Sequence, residues 1–147
     1  MNIRKAHKED YAELMRIWES AVKATHDFLS NDDFEYYKQQ LPVAYFPQVA
    51  LFVLEDENVT KGFLGVAENS LEMLFIDDQD RGKGYGKKLA RFAIDELHVR
   101  KVDVNEQNKQ ATGFYEKIGF VKVGRSDLDA EGKNYPLLHF ELADQTK

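Results

Sequence analysis

The chain has no cysteine among its 147 residues. Disulfides, thiolate metal sites and a cysteine nucleophile are therefore excluded. Proline is scarce, and its three residues are too scattered to mark a linker. No apolar run is long enough to span a bilayer, and the start lacks a signal-peptide pattern. A soluble cytoplasmic protein with no membrane partner is expected. Repeats and low-complexity segments are absent. Histidine is sparse, at four residues, and no metal-ligand spacing is visible, so no metal is expected. Positive charge is in deficit: 20 basic against 26 acidic residues leave a formal charge of −6. That balance speaks against nucleic acid as a partner and leans toward cationic small molecules or lysine-bearing proteins.

What the chain does contain is 43% hydrophobic and 12% aromatic residues. This is enough to build a folded core, and the length predicts one domain spanning 1–147. Asn2 to Ala6 suggests a short first strand. From Lys8, Tyr11, Leu14, Met15, Trp18, Ala21 and Val22 fall on one helical face. Ser30, with Asp33 three residues on, resembles the N-cap of a second helix ending near Leu41. Pro42 and Pro47 bracket an expected loop. Val49–Glu55 and Val59–Glu68 read as a hairpin joined by Asp56-Glu57-Asn58. Leu71 to Asp77 is a nearly continuous apolar run, as expected for a central strand covered on both faces. After a glycine-rich turn, Leu89, Ala90, Ala93, Ile94 and Leu97 mark a helical stripe. Val102–Val104 is a brief strand. A further helix runs from Asn108, with Ala111, Phe114, Tyr115 and Ile118 on one face and Gly119 as its C-terminal cap. Phe120–Leu128 and Tyr135–Leu142 close the chain as a hairpin. The class is α/β (α+β) with a mixed sheet covered by helices.

The organising stretch is the turn Arg81-Gly82-Lys83-Gly84-Tyr85-Gly86, followed by Lys87 and Lys88. Its alternating glycines let the backbone approach a bulky ligand and adopt positive φ angles. The helix behind it offers unsatisfied amides and a positive dipole end, which together make an anion site. Arg81, Lys83, Lys87 and Lys88 add positive charge. The spacing is neither a P-loop nor a dinucleotide fingerprint.

A second motif follows: Asn105, Asn108, Ala111, Phe114-Tyr115 and Ile118-Gly119-Phe120. Taken with Arg81-x-x-Gly84-x-Gly86, it resembles the GNAT superfamily of acetyl-CoA-dependent N-acetyltransferases. The resemblance covers at least Leu71 to Phe120, and the order of the flanking elements fits as well. It implies a mostly antiparallel central sheet of about seven strands flanked by about four helices. It also implies acetyl-CoA as cofactor and an amine acceptor, either a small molecule or a protein amino group, for a monomer or homodimer.

The resemblance further assigns roles. Backbone groups from Arg81 through Lys87 (Arg81, Gly82, Lys83, Gly84, Tyr85, Gly86 and Lys87) would hold the pyrophosphate. Leu74, Phe75 and Ile76 would run beside the pantetheine arm, with the Phe75 N–H as oxyanion stabiliser. Asn108 would contact the cofactor, although it could equally serve as a helix N-cap. Tyr115 would lie near the sulfur as general acid, although on its apolar face it could simply pack. Glu72 on the central strand shares a face with Leu74 and Ile76 by alternation and is the expected base, because an apolar setting would raise its pKa, although it could equally be a strand-end carboxylate facing water. His26 is the rival base and, with Phe28, Asn105 and Tyr135, a candidate acceptor contact. Tyr36, Tyr37, Tyr45 and Phe46, with the hairpin around Lys133 to Pro136, are expected to shape the acceptor pocket. With no cysteine, direct attack by the amine is expected. The alternative is a non-catalytic acyl-CoA-binding or regulatory module using the same cleft.

Overall fold

Arg4 fixes the beginning of the chain. Its guanidinium makes two bonds of 3.0 Å to Asp10 and one of 3.1 Å to Glu55. Those bonds tie β1 (Asn2–Lys5) to the approach of α1 and to β2. The same guanidinium, outweighing partial burial, holds the Asp10 carboxyl below the usual carboxylate range. The computed structural model describes residues 1–143. They form two compact units, Met1–Val99 and a second beginning at Arg100. Together the units hold the seven strands and four α-helices of an α/β fold.

In the first unit α1 (Tyr11–Thr25) buries Leu14, Ile17, Trp18, Ala21 and Val22. Ile17, fully buried, extends the stripe predicted from spacing. α2 (Asn31–Gln40) starts where expected, with the Ser30 hydroxyl accepting from the Asp33 N–H at 3.1 Å. The predicted loop between the prolines is instead helical. A π turn over Leu41–Tyr45 runs into a 3-10 turn over Phe46–Gln48. Each proline sits in the first two positions of its turn, where a missing N–H costs little. Phe46 is correspondingly core, its ring 4.9 Å from Tyr11 and 5.9 Å from Phe63. It cannot shape an open acceptor pocket.

The strands of this unit run β1-β2-β3-β4, all antiparallel. β2 (Ala50–Asp56) and β3 (Val59–Ala67) are joined at Glu57 and Asn58, with φ of 54° and 64°. Two successive positive φ angles match the twist that a two-residue hairpin requires. β4 (Ser70–Ile76) is half-buried from Met73 to Ile76 and not covered on both faces, contrary to the prediction. Its register against β3 jumps: Gly65 faces Met73 and Val66 faces Leu71, so Glu72 is an extra, bulged residue. Gly62 lies tight behind this strand. A Cβ there would stand 2.5 Å from Ile76 Cδ1 and 2.7 Å from the Phe75 carbonyl oxygen. α3 (Tyr85–Leu97) completes the unit and buries Tyr85, Leu89, Ala90 and Ala93.

In the second unit β5 (Lys101–Asn105), β6 (Phe120–Ser126) and β7 (Leu137–Leu142) pair in the order β5-β7-β6, again antiparallel. Val102, Val104, Phe120, Leu138, Phe140 and Leu142 are its buried strand residues. α4 (Lys109–Ile118) adds Tyr115 and Ile118. It ends at Gly119, whose φ of 125° only glycine adopts freely. β6 is shorter than predicted because Asp129 closes a turn, its carboxylate accepting the Glu131 and Lys133 N–H groups at 2.9 Å.

Candidate active site

The loop from β4 into α3 is built around two glycines. Gly82 and Gly84 have φ of 78° and 87°, and a Cβ on either would meet nothing within 4 Å. Their purpose is conformation and open space above the backbone. Gly86, expected to share this role, lies inside α3 and has no positive φ. Gly84 caps the helix, its carbonyl accepting from the Lys88 N–H at 3.1 Å. The N–H groups of Tyr85, Gly86 and Lys87 precede the first intrahelical bond and remain available at the positive dipole end. This arrangement fits a pyrophosphate.

Charge around the loop is more balanced than the sequence suggests. Arg81 pairs with Asp78 at 3.1 Å and Lys83 with Asp80 at 3.3 Å. Lys87 and Lys88 are exposed and make no ion pair among the described residues. The Tyr85 side chain is spent elsewhere: its ring is buried and its hydroxyl donates to Asp56 at 2.8 Å, a bond that raises the phenol's pKa.

The loop's anchors were missed by sequence reasoning. Asp77, 3% exposed, accepts from Arg16 at 2.7 Å, Ser20 at 3.2 Å and the Gln79 side chain at 3.2 Å. Burial pulls its carboxyl upward, but the Arg16 bond and charge and the Gln79 bonds outweigh that and leave it below the usual range. The Ser20 hydroxyl also accepts from the Asp78 N–H at 3.1 Å. Asp80 is likewise buried, with Oδ1 near Lys61 and Lys83 and Oδ2 lacking a partner among the described residues. The available signal was three aspartates directly before a basic glycine loop.

The β4 ladder corrects the oxyanion assignment. The Asp77 N–H donates to the Lys61 carbonyl at 2.9 Å, and Phe75 lies opposite Phe63. Backbone groups alternate sides along a strand, so the Phe75 N–H also points at β3. The amides turned away from β3 are those of Leu74 and Ile76. Glu72 is corrected too: it is exposed on the bulge, and the apolar surroundings expected for it are absent.

His26 follows α1, its N–H donating to the Val22 carbonyl at 2.7 Å. The Thr25 hydroxyl donates to the Ala21 carbonyl at 2.8 Å and lies 2.7 Å from His26 Nδ1. Its single hydrogen is committed, so the hydroxyl oxygen accepts from Nδ1 and the Nε2 lone pair is left free. Burial pushes the imidazole's pKa down, with Asp27 opposing, which keeps the ring neutral at pH 7. The Phe28 ring lies 5.1 Å away.

In the second unit Asn108 is a helix cap, its side chain accepting from the Ala111 N–H at 3.1 Å. The Asn105 side chain shapes the preceding turn, accepting from the Gln107 N–H at 3.0 Å. In both, the side-chain oxygen is engaged by the backbone and the NH2 remains as a donor. Tyr115 is 7% exposed, its ring 5.0 Å from Phe114 and 5.7 Å from Phe120. Its hydroxyl makes no hydrogen bond among the described residues, and burial pushes the phenol far above its ordinary value. Tyr135 is 9% exposed, just before β7.

The family model described as "Acetyltransferase (GNAT) domain" matches residues 14–136. The chain belongs to the GNAT family. Among curated proteins, this GNAT chain is 41% identical over 140 residues to the peptidyl-lysine N-acetyltransferase YjaB of Salmonella typhimurium, covering 95% of this chain and 96% of that protein. It is 39% identical to YjaB of Escherichia coli, covering 95% of each. The solution structure of apo YjaB from Escherichia coli superposes with a TM-score of 0.87 at 38% identity, covering 95% of both chains. The GNAT protein is an enzyme, an N-acetyltransferase that moves an acetyl group to an amine. Its family takes that group from acetyl-CoA.

Proposed function

We propose that this GNAT protein acetylates lysine side chains of proteins by direct attack of the amine, with residues 1–147 acting as one domain. The acceptor class is favoured by the relatives, both named for peptidyl-lysine. The single observation that carries the cofactor reading is the free amide cluster of Tyr85, Gly86 and Lys87 behind two positive-φ glycines. Acetyl-CoA, when bound, supplies the acyl group as a thioester. The amides around Gly82 and Gly84 bind its pyrophosphate, and Lys87 adds charge. Leu74 and Ile76 offer outward amides, one of which polarises the carbonyl. Exposed Glu72 attracts the incoming lysine ammonium, and His26 Nε2 takes its proton before attack. Tyr115, kept protonated by burial, returns a proton to the departing thiolate, the role that the resemblance gives it. Asn108 acts by fixing the start of α4.

The test is a panel of lysine peptides and small amines, followed by release of free CoA and mass spectrometry. Acetyl on lysine Nε is expected. Turnover on small amines alone would overturn the acceptor class.

A further inference from the structure

The second unit carries a connected set of three side chains to which the proposed acetyl transfer gives no role. Asp103 on β5 stands abreast of His139 on β7, and Ser126 on β6, the partner of Leu137, lies diagonally across from the histidine. Asp103 is the direct register partner of His139. Its Oδ1 lies 2.7 Å from His139 Nδ1, and His139 Nε2 lies 2.7 Å from Ser126 Oγ. Two features of β6 permit this reach. The extra residue Val123 shifts the register so that Gly124 falls opposite His139. Gly124 then presents no side chain to the ring, where a Cβ would touch Cδ2 at 3.5 Å.

The hydrogen-bond order follows from the partners. A carboxylate can only accept, so in the neutral ring Nδ1 carries the hydrogen and the Nε2 lone pair faces the serine hydroxyl. This is the order by which an imidazole activates a serine, whatever fold supports it. Ser126 lies half-buried at the end of the unit's edge strand, and the His139 side chain is 33% exposed, so a small reagent can reach both.

We propose that Ser126 is a nucleophilic serine that accepts acyl groups from small activated esters, with His139 as its base and Asp103 as a positioning residue. Ser126 Oγ bonds to the acyl carbon while its proton passes to His139 Nε2. The bond from the acyl carbon to the leaving oxygen breaks, and the leaving alcoholate takes the proton from Nε2. Water, deprotonated by the same nitrogen, then releases the acid and restores the hydroxyl. The Asp103 side chain is 54% exposed, so water screens its hold on the ring. The expected acceleration is therefore that of one acid–base group, about a hundredfold.

The experiment treats the full chain with p-nitrophenyl acetate, following nitrophenolate release and mapping adducts by mass spectrometry, with a thermal melt for each variant. An acetyl adduct on Ser126 is expected, with release continuing past one equivalent. Ser126→Ala should abolish that adduct, and His139→Gln should slow its formation about a hundredfold. Asp103→Asn should slow it about tenfold with an unchanged melt, and Asp103→Glu should recover part of the rate. Adducts confined to lysines, or release unaffected in a folded Ser126→Ala, would overturn the proposal.

Discussion

A buried phenol whose hydroxyl has no partner among the described residues is held in its protonated form, and in Tyr115 that makes the side chain a donor throughout the working pH range. Tyr115→Phe keeps the ring contacts with Phe114 and Phe120. Turnover should fall about a hundredfold while the thermal midpoint stays within a few degrees and cofactor affinity barely moves. Steady-state kinetics beside calorimetric titration checks both. Equal turnover would leave the residue a packing group. His26 offers a pH test. Its pKa is lowered by burial, so kcat/KM should hold above that value and fall as pH drops through it and the ring gains a proton. The same shift ties stability to pH. The contribution is complete above about 6.5, the ordinary imidazole value, and is lost as pH falls through the lowered one. His26→Gln should remove the acidic limb of the rate profile, whereas Glu72→Gln should keep it and raise the peptide KM. The opposite pattern would return the proton-accepting role to Glu72. That carboxylate was misread because strict alternation put it on an apolar face, and a single bulged residue cancels alternation.

The connection between β4 and α3 combines a flexible rim with a fixed base. The Cβ that Gly84→Val adds meets nothing within 4 Å, so its cost is mainly the strain of a β-branched residue at φ of 87°, about 1–2 kcal/mol. The variant should fold yet lose most of its affinity for acetyl-CoA, as read by calorimetric titration. At the base, Asp77→Ala takes an acceptor from Ser20 and Gln79 and leaves half-exposed Arg16 with Glu13 alone, so it should cost about 1–2 kcal/mol in denaturant unfolding. It should also raise the KM for acetyl-CoA by a larger factor than the KM for the peptide. An unchanged KM would make Asp77 a purely structural clamp. Signals within a few residues were legible in the sequence: the Ser30 and Asn108 caps, the Gly119 terminator and the glycine loop itself. The Arg16–Asp77 pair was not, because 61 residues separate its partners and no local pattern records the contact. The amide directions on β4 were hidden for the same reason, since they depend on which β3 residue lies opposite.

Across the whole molecule the formal charge is −6, and that field favours a basic segment approaching the enzyme. Lysine peptides with basic flanks should show kcat/KM falling several-fold between about 0.02 and 0.3 M salt, because the Debye length shortens. Peptides with acidic flanks should show little change or a rise. Rate measurements on matched peptides decide this, and equal salt slopes would mean that the acidic surface takes no part in recognition. Length is a further property of the whole chain, and β4 shows where one residue can be subtracted. Since Val66 already faces Leu71 and Gly65 already faces Met73, excising Glu72 would close the gap without reassigning a single partner. A chain one residue shorter could thus keep every pairing of the β3–β4 ladder while losing both the carboxylate and the kink. Compared with Glu72→Gln, which removes only the charge, it would separate the acid from the bend that carries it.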